Sequence, residues 1–167
     1  MKKLVLIRHA KSSWDDPDLS DHDRPLNARG VKDAPRMGKR LKEKRIFPDR
    51  MITSTAKRAL STCLAMAEVL GYSKEKVISD RKIYHASEDQ LLTFIQKLKD
   101  LNDHEDVTLL FGHNPGLTAF ANQLADESIE NIPTAGVVAI AIPTNRWSEV
   151  DFGCGKMLFF DFPKNKD

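Results

Sequence analysis

Two polar side chains, Arg8 and His9, follow directly behind a run of four apolar residues at positions 4–7. Such a short run of branched apolar residues is typical of a strand that is covered on both faces in a parallel sheet. Proteins with these sheets bind their ligands at the carboxyl ends of the strands. We therefore expect Arg8 and His9 to lie at the mouth of a binding site.

Polar groups follow two further predicted strands in the same way. Ser54 and Arg58 come after the second strand, and His113 and Asn114 come after the fourth. If these strands are parallel neighbours, the groups converge on one crevice, which helix N-termini make attractive to anions. Guanidinium groups match their planar donors to phosphate oxygens in pairs. The pattern predicts a phosphate pocket.

A histidine in such a pocket could act as a nucleophile, a general acid or base, or a metal ligand. The other histidines show no HxH or HExxH spacing, and two arginines would repel a cation, so we expect neither a metal nor another cofactor. Nearby cations disfavour the imidazolium form and leave a lone pair free to attack phosphorus. Phosphoryl transfer through His9 without a metal is therefore the favoured chemistry.

The elements that must position these groups alternate along the chain, which predicts an α/β fold in a single domain over residues 1–167. The last two predicted strands have a hairpin-like arrangement. The predicted strands span residues 4–7, 51–53, 77–79, 107–111, 137–142 and 157–162.

Four helices are predicted between these strands. The first is capped by Asn27, the second is capped by Ser54 or Thr55 and ends at Gly71, and the fourth has Asn114 as its cap. The third spans residues 89–101. The side chains predicted to face inward are Val31, Ala34, Met37 and Leu41 in the first helix, and Leu92, Ile95 and Leu98 in the third.

Composition agrees with one compact domain, since the chain has 167 residues, 41% hydrophobic content and a net charge of +2. No apolar run reaches the roughly 18 to 20 residues of a membrane span, and the N-terminus lacks a signal-peptide cleavage site. We expect a cytoplasmic protein without nucleic-acid or membrane partners. Cys63 and Cys154 are expected to be free core thiols.

The first predicted helix carries a row of basic residues, Lys32, Arg36, Arg40 and Lys44, one every four positions. Four like charges along one face repel one another slightly, by a few tenths of a kcal/mol per pair. Such a row is either an ordinary solvated face or a docking surface for an acidic phosphoprotein.

Four segments, "LIRHAKSSW", "DRPLNARG", "TSTAKRALSTC" and "LLFGHNPGL", occur in an order that resembles the histidine phosphatase superfamily. The small SixA-type phosphohistidine phosphatases are the most similar subgroup. The resemblance implies a phosphoglycerate-mutase-like fold, a three-layer α/β/α sandwich whose mainly parallel sheet has an antiparallel edge. It also implies that His9 accepts the phosphate and that Arg8, Arg58 and His113 grip it. The substrate would be a phosphorylated protein or a small phosphate ester.

The chain departs from the family pattern at two places. Ala10 stands where the signature has glycine, and "RKIYHASED" stands where the family's mutases and sugar phosphatases have a glutamate acid. His85, Glu88 or Asp89 could supply the proton instead. Alternatively no acid is needed, because imidazole leaving from a phosphohistidine requires less protonation than an alkoxide.

Several other residues are candidates for the pocket wall. Lys11, Ser12 and Arg24 could contact substrate, as could Asn114, or they could be ordinary surface groups. The two tryptophans, Trp14 and Trp147, either shape an entrance or complete a core edge, and His22 and His104 are expected at the surface. Two other functions remain open, a small-molecule phosphomonoesterase acting on sugar or nucleotide phosphates and a non-catalytic phosphate-binding module.

Overall fold

The computed structural model describes residues 1–101 and 105–165, which form a six-stranded sheet with helices on both faces. The strands lie in the order β3-β2-β4-β1-β5-β6, and β3, β2, β4 and β1 are parallel. β5 pairs antiparallel with β1, and β6 pairs antiparallel with β5. The strands are β1 Lys2–Arg8, β2 Arg50–Thr53, β3 Ile78–Ser79, β4 Asp106–Gly112, β5 Val137–Ile142 and β6 Lys156–Asp161.

Four α-helices cover the sheet: α1 Ala28–Glu43, α2 Lys57–Leu70, α3 Glu88–Gln96 and α4 Gly116–Leu124. Alternate side chains of a strand point to opposite faces, so β1 feeds two hydrophobic cores. Val5 and Ile7 pack with the buried side chains of α1 and α2, whereas Leu4 and Leu6 pack with those of α3 and α4. The predicted three-layer α/β/α architecture is confirmed.

β1 is anchored by complete burial, because Leu4, Val5, Leu6 and Ile7 are each 0% exposed. Each such side chain contributes about 1.5–3 kcal/mol relative to its exposed state. This burial holds the carboxyl end of β1, and hence Arg8 and His9, in a fixed place beside β4.

The start of α1 agrees with the sequence, but one inward position does not. The Asn27 side chain accepts a hydrogen bond from the Gly30 N–H over 2.9 Å, as expected of an N-cap. Val31, predicted to face inward, is 60% exposed. The buried face is centred between Ala34 and Met37, and at 3.6 residues per turn Val31 lies roughly a quarter-turn away from it.

Neither Ser54 nor Thr55 is the N-cap of α2, which is Ala56, without a side-chain cap. The Ser54 hydroxyl accepts a hydrogen bond from the Ala56 N–H at 3.1 Å, so it still closes the turn before the helix. The predicted end is confirmed, since Gly71 adopts the left-handed conformation with φ 71°.

The prediction for α3 was wrong in length. The helix begins at Glu88 behind a Ser87–Gln90 capping box and ends at Gln96. Leu91 and Ile95 are its buried residues, whereas Leu92 and Leu98 are partly buried against the same core. The helix has nine residues, which is about two and a half turns, and stops five residues before the predicted end at position 101.

The prediction for α4 was displaced by one residue. Its N-cap is Pro115, and Asn114 precedes it. The Asn114 Oδ1 nevertheless accepts hydrogen bonds from the Thr118 N–H and hydroxyl at 3.2 and 2.7 Å. Asn114 thus satisfies a donor of the first turn from outside the helix.

The last two strands are antiparallel neighbours, as expected, but a 3-10 turn at Trp147–Glu149 lies in the connection between them. Trp147 is fully buried, so it belongs to the core and not to an entrance. Cys63 is a buried free thiol, whereas Cys154 is only partly buried.

The basic row on α1 is not a uniform solvated face. The Arg40 guanidinium pairs with Asp161 at 3.1 Å and donates to the carbonyls of Phe162 and Pro163, and the Lys44 ammonium lies 5.0 Å from the ring centre of Phe159. These contacts join α1 to β6 and the segment after it. Among the described helices, none has the length and apolar character needed to cross a membrane.

Candidate active site

The predicted polar groups meet at the carboxyl ends of three adjacent strands, β1, β4 and β2. They surround a cavity of about 240 Å³. Its lining residues are Arg8, His9, Lys11, Ser12, Trp14, Arg24, Arg58, His85, His113, Asn114 and Thr134. The topology explains this convergence, because β4 lies between the strands that carry the other groups.

His9 is held as a neutral imidazole with one defined tautomer. Its Nδ1 lies 2.8 Å from the Ala10 carbonyl oxygen, which can only accept, so Nδ1 carries the proton and Nε2 keeps its lone pair. Burial, followed by the charges of Arg58, Arg8 and Arg24, lowers the pKa of His9 to about 4 despite the opposing backbone hydrogen bond. The turn is fixed by the Ala10 N–H, which donates to the Thr62 hydroxyl at 2.9 Å.

The Ala10 methyl group, at the position of the signature glycine, is accommodated without exposure. Ala10 is 0% exposed and packs in the core formed by α1, α2 and the sheet. The fold thus has room for a methyl group directly after His9.

The two guanidinium groups share a common arrangement. Arg8 donates from Nη1 to the Ile132 carbonyl at 3.0 Å, and Arg58 donates from Nη1 and Nη2 to the main-chain and side-chain oxygens of Asp21 at 2.6 and 3.0 Å. The Nε atoms of Arg8 and Arg58 are buried and have no hydrogen-bond partner within residues 1–101 and 105–165. Buried donors of this kind favour an anionic ligand.

His113 completes this set from the end of β4. Its Nε2 lies 2.8 Å from the Ser54 Oγ, and its buried Nδ1 has no partner in the described part of the chain. Because the Ser54 oxygen already accepts from Ala56, its proton is available to Nε2, and Nδ1 can then carry a proton. Burial, with the neighbouring His9 and Arg58, lowers the pKa of His113 to about 3.

Asp21 is a site residue that the sequence patterns did not reveal. It lies in a 3-10 turn, Asp21–Asp23, between β1 and α1, and one carboxylate oxygen accepts from Arg58 at 3.0 Å and from the Tyr84 hydroxyl at 2.6 Å. Against the opposing effect of burial, these hydrogen bonds hold the pKa of the Asp21 carboxyl well below its usual range. An acidic residue in an irregular loop has no periodicity by which it could have been found.

Comparison with known proteins identifies the family. Residues 4–83 match the model of the histidine phosphatase superfamily (branch 1). The chain belongs to the histidine phosphatase superfamily. An uncharacterized protein of Mycobacterium tuberculosis is 30% identical over 168 residues, covering 95% of this chain and 100% of the relative.

Solved structures show the same fold. A protein of Nakamurella multipartitia assigned as a phosphohistidine phosphatase SixA has a TM-score of 0.82 at 23% identity, covering 98% of this chain and 97% of the other. The protein histidine phosphatase SixA in complex with tungstate has a TM-score of 0.79 at 18% identity, with 96% of both chains covered. At these identities the likeness is one of fold.

Of the three residues that the sequence offers as possible acids, His85 alone lines the His9 cavity among the described residues. His85 lines the cavity with φ 57°, and its Nε2 lies 3.5 Å from the Asp21 carboxylate. Glu88 lines an adjoining cavity together with His85 and His113. Asp89 lines a separate groove with Lys82 and is not among the described residues that line the His9 cavity.

The remaining candidates form the wall and rim of this histidine phosphatase cavity. Arg24 is buried and donates from Nη1 to the Ser12 hydroxyl at 2.9 Å, while its guanidinium lies 3.5 Å from the ring centre of Trp14. Trp14 is 75% exposed and therefore belongs to the entrance. Lys11 is exposed at the rim, and the Asn114 side chain donates to the Ile132 carbonyl at 3.0 Å.

His22 is not an ordinary surface residue. It is partly buried, its Nε2 lies 2.8 Å from the Thr55 hydroxyl, and its ring meets Tyr84 edge-on at 5.0 Å. His104, for which a surface position was also expected, lies outside the described residues. Within residues 1–101 and 105–165, no group of three or more His, Cys, Asp and Glu side chains is arranged to hold a metal ion.

Proposed function

We propose that this protein is a phosphatase in which His9 is the nucleophile and becomes phosphorylated during turnover. One observation carries the proposal. The His9 Nε2 lone pair lies in a cavity with Arg8, Arg58 and His113, each of which has a buried nitrogen without a partner among the described residues. A phosphoryl group in this cavity would lie against the side chains of Arg8, Arg58 and His113 and within reach of the nucleophile.

The reaction proceeds in two balanced steps. The His9 Nε2 forms a bond to phosphorus while the bond from phosphorus to the leaving oxygen or nitrogen breaks, and the leaving group retains that electron pair and takes up a proton from solvent. Water then attacks phosphorus as the bond from phosphorus to Nε2 breaks, the electron pair of that bond returns to Nε2, and the attacking water gives up a proton to solvent as orthophosphate is released. Arg8, Arg58 and His113 stabilise the charge on the equatorial oxygens in both steps.

The structural relative that was solved with tungstate is consistent with oxyanion binding by a protein of this fold. Tungstate is an oxyanion, and the protein that bound it shares its fold with this chain. No metal takes part in the proposed reaction, since two guanidinium groups supply the positive charge that a cation provides in other phosphatases.

We further propose a phosphohistidine in a protein as the substrate. The Asp21 carboxyl beside the cavity is held ionised at neutral pH and cannot donate a proton. No carboxyl side chain is among the described residues that line the His9 cavity. An imidazole leaving group needs less protonation than an alkoxide, so this site suits cleavage of a P–N bond.

A second candidate is a phosphomonoesterase acting on sugar or nucleotide phosphates. The observation in its favour is the His85 imidazole, which lines the cavity and could protonate an alkoxide. A side-by-side measurement of kcat/KM for phosphohistidine-bearing HPr, phosphorylated phosphotransfer domains and a panel of metabolites decides between the two. Efficient turnover of metabolites alone would reject the protein substrate.

The nucleophile is tested by quenching a reaction in base and locating acid-labile phosphate by mass spectrometry. We expect phosphate on His9 and no turnover by His9→Ala. Full activity of that variant would refute the mechanism. Hydrolysis of a chromogenic phosphomonoester in EDTA tests metal independence. Phosphate binding without any turnover would instead indicate a binding module.

A further inference from the structure

The Asp21 carboxylate contacts four side chains that come from three separate places in the chain. Its Oδ2 accepts from Arg58 Nη2 and the Tyr84 hydroxyl and lies 3.5 Å from His85 Nε2. Its Oδ1 accepts from Arg24 Nε at 3.3 Å. All four partners line the cavity or stand directly beside a lining residue.

This arrangement holds the Arg58 guanidinium in one orientation at the cavity wall. The Asp21 carbonyl and carboxylate engage both Nη atoms, and Nε remains without a described partner. Arg8 is held more loosely at the same cavity, since the Ile132 carbonyl accepts from Nη1 alone, and its Nε likewise has no partner among the described residues. A long arginine side chain loses much rotational freedom when it is held in this way before a ligand arrives.

We propose that Asp21 is a positioning residue that holds the Arg58 guanidinium, and with it the Tyr84–His85 wall, in the geometry that receives phosphate. The inference rests on the proposed function and adds to it a residue that does not itself touch the phosphoryl group. Asp21 acts on Arg58 as the Ile132 carbonyl acts on Arg8.

A positioning role for Asp21 and a competing role, in which its carboxylate merely blocks Arg58, predict opposite changes in anion affinity when the carboxylate is removed. A carboxylate near a phosphate site repels the incoming anion, and one that merely occupied the Arg58 donors would compete with it. Removal of such a competitor would strengthen phosphate binding. Removal of a positioning residue weakens it, because Arg58 must then be ordered when the anion binds.

The test compares Asp21→Asn with the matched control Asp23→Asn. Asp23 lies in the same 3-10 turn, but its carboxylate contacts His22 at 3.2 Å and no arginine. For Asp21→Asn we expect the inhibition constant of orthophosphate to rise about tenfold, the typical effect of losing a charged hydrogen bond. KM for a chromogenic phosphomonoester rises in parallel. Asp23→Asn keeps the wild-type values, and Tyr84→Phe shows a smaller loss.

A double-mutant cycle with Arg58→Ala tests the route of the effect. If Asp21 acts through Arg58, adding Asp21→Asn to Arg58→Ala changes the orthophosphate affinity no further. Tighter orthophosphate binding by Asp21→Asn, or fully additive losses in the double variant, would overturn the proposal. A fall in melting temperature with unchanged affinity would also overturn it, since that result describes a purely structural residue.

A failure of the proposed function can be told apart from a failure of the positioning role, because the two are measured separately. If wild-type protein never phosphorylates His9, the mechanism is wrong, but calorimetric titration with orthophosphate still ranks the variants. The positioning role is then judged on anion affinity alone.

Discussion

Acidification should destabilise this protein through the two buried imidazoles, and replacement of His9 should remove part of that effect. The pKa of His9 is lowered to about 4 from 6.5, chiefly by burial, and the pKa of His113 is lowered to about 3 for the same reason. Between pH 6.5 and 4 the unfolded chain binds protons at these positions and the folded protein does not. Stability therefore falls as pH is lowered through this range.

The size of the effect follows from the shift. Each pKa unit corresponds to about 1.4 kcal/mol, so His9 alone accounts for a loss of roughly 3 kcal/mol in unfolding free energy between pH 6.5 and 4. The two imidazoles lie 5.2 Å apart, centre to centre, and their titrations are coupled. The losses for the two residues are therefore not simply summed.

Urea denaturation at pH 7 and pH 4.5 measures this linkage for wild type and His9→Gln. Glutamine has no titrating group, so we expect the variant to lose about 2 kcal/mol less than wild type over that interval. His22→Gln serves as a control outside the cavity and should retain most of the wild-type dependence. The carboxylates contribute alike to wild type and His9→Gln and cancel in that comparison, whereas His22→Gln also removes the hydrogen bond that lowers the pKa of Asp23.

An identical pH dependence for wild type and His9→Gln would refute the reasoning. It would mean that His9 is not held neutral by its surroundings, and the argument for a free Nε2 lone pair would fail with it. A parallel measurement of kcat/KM should show activity declining only as the pH approaches 4, where His9 becomes protonated.

Three further variants test individual contacts. Ser54→Ala removes the partner of His113 Nε2 and should lower kcat by roughly tenfold while circular dichroism stays unchanged, whereas an unaltered kcat would remove Ser54 from the site. His85→Ala should slow alkyl phosphates more than phosphoimidazole, and equal slowing would exclude it as a proton donor. Arg36 is the better probe of the basic helix, because Arg40 is ion-paired with Asp161. If the helix is a docking surface, Arg36→Glu should reduce kcat/KM for an acidic phosphoprotein and leave a small substrate unaffected. The salt dependence of kcat/KM provides the check.

Local patterns in the sequence were sufficient for the principal candidates. Arg8, His9 and His113 each stand within a residue of a buried strand end, where an apolar run makes the preceding element unmistakable. Arg58 lies in the first turn of α2, a few positions after the end of β2 along the chain. Ends of parallel neighbouring strands meet, so local spacing alone predicted their convergence.

Helix caps and inward-facing helix positions were predicted less well, because the same short stretch of sequence is compatible with more than one arrangement. The Ser54 hydroxyl can either cap a helix or bind a side chain across the sheet, and the sequence does not distinguish these uses. Val31 has an apolar side chain on a helix whose buried face is already filled, and periodicity places it only to within a quarter-turn.

The sequence by itself determined the α/β class, the strand ends and the residue types of an anion site, because each depends on contiguous residues. Only the tertiary structure decided that Asp21 lies against Arg58, 37 positions away, and that the Ile132 carbonyl holds Arg8 across 124 positions. It also decided that Arg40 belongs to the fold, through Asp161 on β6. Such pairings depend on how the layers close around the sheet, and a hydrogen bond between distant loop residues leaves no periodic trace in the chain.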